Sequence, residues 1–151
     1  MAFQQRNTVV TLVIQSMVAA FFGIRVYSLF QAGAFAPPQV FRLWAIVIGA
    51  VVLLSIGGII AATIGHSIKH AVRTGSEPGD GDFIEDERDK LIDLKGSRVS
   101  HIITSILVFG SMLHFVFIQD GLWLFTLLIG SGLIGQITGD FYKLVRYGQG
   151  V

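Results

Sequence analysis

Glu85-Asp86-Glu87-Arg88-Asp89-Lys90-Leu91-Ile92-Asp93-Leu94-Lys95 is the densest run of charge in the chain, and it leads without a proline into the apolar run 99–118. Only Gly96 weakens the join. A helix over 82–118 would have 37 residues and measure roughly 55 Å at 1.5 Å per residue. The hydrocarbon core of a bilayer takes up about 30 Å. The stretch therefore reads as one helix that begins in water and ends in lipid. Asp82 is placed to cap it, with Glu85 at the reciprocal position of a capping box.

Composition supports a membrane setting. Of 151 residues 52% are hydrophobic and 14% charged, with a mean hydropathy of +0.68; soluble domains carry about 25% charge. Four long apolar runs, at 9–30, 41–65, 99–118 and 122–139, each suit a spanning helix of about 20 residues. The fold class this predicts is all-α: a single four-span domain over 1–151, an integral membrane four-helix bundle whose third helix extends into the cytoplasm. Residues 74–98 form the cytoplasmic linker and charged helix. Pro37-Pro38 places a loop at 31–39. Gln119-Asp120-Gly121 reads as a tight turn. The first run is too long for the apolar stretch of a signal peptide and reads as a retained helix.

Basic residues concentrate on the cytoplasmic side of membrane proteins. Lys69, Arg73, Arg88, Lys90, Lys95 and Arg98 lie between spans two and three, Lys143 and Arg146 in the C-terminal tail, and Arg6 near the start. Beside loop one there is only Arg42, at the start of span two, and the last turn holds none. Both termini are therefore expected in the cytoplasm. Tyr27, Phe30, Phe41, Trp44, Phe117 and Trp123 form an outer aromatic belt.

Small residues recur at four-residue steps: Gly57, Ala61 and Gly65 in span two, and Ser131, Gly135 and Gly139 in span four. Such stripes let backbones approach closely. They serve packing inside the bundle, self-association, or both.

Several constellations bear on function. The charged run reads first as a solvated helix laced by salt bridges that sets the register of span three; the sharper reading makes Glu85, Asp86, Arg88, Asp89 and Asp93 a partner-binding surface for a cytoplasmic protein or a neighbouring subunit. Asp86, Asp89 and Asp93 share a face, yet a hard cation wants six or more oxygens, which one face does not supply. His66 and His70 end span two, and His101 begins span three. Antiparallel packing of these spans would bring the three together as a site for a divalent metal or a b-type haem; the plainer reading is interfacial histidines that hydrogen-bond or respond to pH. Arg25, His114, Asp120 and Asp140 are further ionisable groups in or beside the spans, where charge is costly and faces an interior or a cavity. Arg25 either pairs with Asp120 or snorkels to the surface. The net charge of +1 argues against nucleic acid as a partner. The absence of cysteine excludes thiol catalysis and Cys-ligated metals.

Residues 85–92, followed by a small-residue step and a membrane span, resemble the D-E-R-D signature of small bacterial and archaeal multi-span membrane proteins of unknown function. The resemblance covers 85–101. It implies a four-helix inner-membrane layout and brings no catalytic residue with it. The chain is thus expected to be a non-enzymatic protein of the bacterial inner membrane that acts as a subunit or regulator through its charged helix, as a homo-oligomer or within a membrane complex. The alternatives are a small oligomeric channel or transporter and a haem b electron-transfer protein.

Overall fold

The computed structural model describes residues 3–74 and 87–149, which form four α-helices and no strand among the described residues. These are α1 (Phe3–Gln31), α2 (Pro37–Thr74), α3 (Glu87–Ile118) and α4 (Gly121–Gly148). All four are long and apolar enough to cross a membrane. The proposed cap at Asp82 and Glu85, and most of the linker, lie outside the described residues.

The helices run past the expected spans. α2 continues to Thr74 and α4 to Gly148. Hydrocarbon thickness limits the apolar run, not the helix, and no proline stops either segment. The α1–α2 link is also shorter than expected, because Pro37-Pro38 open α2 rather than filling the loop. The first i→i−4 bond runs from the Val40 N–H to the Ala36 carbonyl at 3.1 Å. Pro37 and Pro38 thus occupy the first turn, where a helix has no use for their missing N–H groups. α1 ends in a Schellman arrangement: the Ala34 N–H donates to Leu29 O at 2.9 Å and the Gly33 N–H to Phe30 O at 3.1 Å. Gly33 has φ +63°, a conformation that glycine adopts without steric cost.

Only Gln119 and Asp120 join α3 to α4. Gln119 takes φ 55°. Asp120 is the N-cap of α4, its carboxylate accepting from the N–H groups of Leu122 at 2.8 Å and Trp123 at 3.3 Å. Both short links lie at one end of the molecule, the link end. The opposite, terminal end holds the start of α3 and the end of α4.

Each short link makes an antiparallel hairpin. α1 packs on α2 and α3 on α4, and α1 against α4 unites the halves. α2 touches α4 lightly, and α3 makes no substantial contact with α1 or α2. Across the molecule the order is α2, α1, α4, α3. The buried centre is Val18 and Phe22 of α1, Leu43 and Val47 of α2, and Leu133 of α4. At the link end the indole of Trp123 stacks on Phe35 with centroids 4.5 Å apart, and the indole N–H of Trp44 donates to Thr126 Oγ1 at 3.3 Å. Apolar side chains cover the outside, Leu53 at 72% exposure and Phe117 at 83% among them. That surface suits a lipid surround.

Candidate functional site

The closest helix approach is between α3 and α4. A β-carbon on Gly139 would stand 2.7 Å from Ser100 Cβ and 2.9 Å from Gly96 O. One on Gly135 would collide with Thr104 Oγ1, and one on Gly96 with the stem of Lys143. The pairs step along the seam in antiparallel order, Gly96 with Lys143, Ser100 with Gly139 and Thr104 with Gly135. Two strips of small residues, four apart on each helix, bring the backbones together. Gly96, which reads in the sequence as a weak point, is where Lys143 crosses α3.

The seam delivers a charge cluster at the terminal end. Lys143 Nζ lies 2.7 Å from Asp93 Oδ1 and 3.4 Å from Asp140 Oδ1. Asp140 is 2% exposed, whereas the side chain of Asp93 is 59% exposed. Gln136 Nε2 donates to Asp140 Oδ1 at 3.4 Å. Asp140 Oδ2 is buried and accepts no hydrogen bond from the protein. A cavity of about 60 Å³ beside it is lined by Ser97, Ser100, His101 and Gln136, which is polar and roomy enough for water. Lys143 thus links a buried carboxylate to a surface one and ties the charged segment of α3 to α4.

With Ile92 buried and Asp93 turned to α4, the neighbouring residues face out. Glu87, Arg88, Leu91, Lys95 and Arg146 border a cavity of about 300 Å³. Leu91 is 55% and Leu94 67% exposed. Three cations and one carboxylate therefore surround an exposed leucine. Arg146 is held in place by Tyr142, to whose hydroxyl its Nε donates at 3.1 Å.

The other expected site residues are spread out. Glu85 and Asp86 fall outside the described residues, and Asp89 is half-buried. His101 is exposed on α3. His66 and His70 belong to α2, but their side chains are not among those described. Because α1 and α4 separate α2 from α3, the packing does not set α2 alongside His101. Among the described residues no three His, Cys, Asp or Glu side chains converge as metal ligands. Asp120 caps α4 instead of pairing with Arg25, which is exposed beside a cavity between α1 and α2. His114 is half-buried on α3, its Nδ1 without a hydrogen bond.

Ser131 is buried and donates to the Leu127 carbonyl of its own helix at 2.7 Å. Gly57 and Gly65 meet open space, and Ala61 is exposed. Gly58, one residue away, takes the packing against Ile14 and Val10 of α1. Sequence reasoning missed Lys143, Arg146, Gly58 and the strip Gly96–Ser100–Thr104. The one sequence signal for Lys143 is its place four residues after Gly139.

Compared with protein-family models, curated proteins and solved structures, the chain matches nothing.

Proposed function

We propose that the chain is a non-enzymatic, four-span protein of the bacterial inner membrane, with both termini in the cytoplasm. It works as a subunit that docks a partner protein on the charged segment of α3. The observation that carries this reading is Leu91, 55% exposed among Arg88, Lys95 and Arg146 at the terminal end. An exposed leucine set among three cations and the single carboxylate of Glu87 suits an acidic, amphipathic partner segment. Electrostatic complementarity would steer it and the apolar contact would hold it. The Lys143 pairs and the α3–α4 seam keep the surface rigid, so little ordering entropy is lost on docking. The basic residues gathered at the terminal end support the orientation.

The test is site-specific photo-crosslinking from position 91 in native membranes. A single heteromeric adduct is expected, lost in the R88E/K95E variant. No adduct, or one that survives the charge reversal, would refute the reading.

A second reading, a small transporter, is favoured by one observation. Gln15 and Gln136 line a common groove, and Gln136 bonds to Asp140, which leads through Lys143 to Asp93 at the surface. Proton or sodium flux into liposomes that is lost in D140N would favour it; background flux would remove it.

A further inference from the structure

We infer that the cavity between α1 and α2 at the link end binds the phosphate of an anionic phospholipid. This rests on the helices crossing a bilayer and not on the partner proposed above.

Arg25 and Arg42 line one cavity of about 340 Å³, with Phe21, Leu43 and Ile46 forming its apolar wall. Each guanidinium group presents a planar fork of N–H donors and no acceptor. Among the described residues neither is paired with a carboxylate. Asp120, at the same end of the molecule, is committed to capping α4. Two like charges beside one cavity repel each other, and apolar walls raise the cost of leaving them without an anion.

Depth selects the ligand. Arg25 stands six residues before the end of α1 and Arg42 five after the start of α2, so both lie roughly 8–9 Å along the helices from the link. Phe30, Phe41, Trp44 and Trp123 cluster in ring contacts at this same end, as aromatic side chains do at the headgroup level. An arginine pair at that depth meets phosphodiester groups, and its planar forks match phosphate oxygens two at a time. Phe21 and Ile46, exposed at 42% and 47%, continue the wall outward, where the acyl chains of such a lipid would lie.

Lipid phosphate and free phosphate share this chemistry, and native mass spectrometry separates them. The full-length protein is extracted into detergent containing equal phosphatidylglycerol and phosphatidylcholine. It is expected to retain one phosphatidylglycerol, with a preference of about tenfold or more, the scale of one lost charge-assisted hydrogen bond. The R25Q/R42Q variant should lose the preference. R25K/R42K, which keeps charge but not the fork, should retain only part of it. R146Q, at the opposite end, should keep all of it. Equal retention of the two lipids by the native protein, or an equal loss in R146Q, would overturn the inference. So would an unchanged preference in both arginine pairs. Displacement of the lipid by millimolar inorganic phosphate, with phosphate binding retained in phosphatidylcholine nanodiscs, would overturn the lipid assignment and assign the site to soluble phosphate.

Discussion

Lys143 carries two unequal interactions. Its pair with Asp93 is open to water and resembles surface ion pairs, worth about 0–1 kcal/mol. Its approach to Asp140 compensates a buried carboxylate, and removing one partner of such a pair costs about 3–5 kcal/mol when burial is complete. Partial exposure of the cluster scales this down. K143M, which keeps the stem over Gly96, is therefore expected to destabilise the protein by about 2–3 kcal/mol, and D93N by less than about 1 kcal/mol. Reversible unfolding in mixed micelles measures both, and equal losses would refute the division. Asp120 allows a second check. D120A should cost about 1 kcal/mol as a lost cap. In a cycle with R25Q the two effects should add within about 0.5 kcal/mol, since the groups share no bond. Coupling beyond that would restore the Arg25–Asp120 pair that the sequence suggests.

Among the elements, the α3–α4 seam is the tightest joint, and the outer face of α2 is open. G139L forces a side chain against Ser100 and the Gly96 carbonyl and should cost about 1–3 kcal/mol or more. G57L meets open space and should leave the unfolding free energy of the monomer unchanged within about 0.5 kcal/mol. If G57L also abolishes a dimer seen by cross-linking, the α2 stripe serves self-association. How much could be read from the sequence follows from what a period encodes. Apolar runs mark four helices, because hydrocarbon thickness acts on each segment alone. A four-residue step says that Gly135 and Gly139 share a face, but it does not name the neighbour. Whether Gly57 or Gly58 packs is a matter of one residue's rotation, settled only when α2 meets α1. The start of α2 at Pro37 was hidden because proline stops a helix from within and opens one at its first turn. The Lys143 cluster was hidden because Asp93 and Asp140 are far apart in sequence and come together only through the seam.

For the whole molecule, the proposed orientation makes a direct prediction. The chain contains no cysteine, so single cysteines report sidedness without background. In intact cells or right-side-out vesicles, A34C and Q119C should react with a membrane-impermeant maleimide, and K95C and Q149C only after permeabilisation. The reverse pattern would invert the topology. The order α2, α1, α4, α3 has one more consequence. Each hairpin closes through a short link between neighbours in sequence, so each can enter the bilayer as a unit before the other exists. What remains is the docking of α4 against α1 and, more lightly, α2, with Val18, Phe22 and Leu133 as its latch and the Trp44–Thr126 bond beside it. Two transcripts, each encoding one hairpin, would therefore assemble the same protein from separate polypeptides.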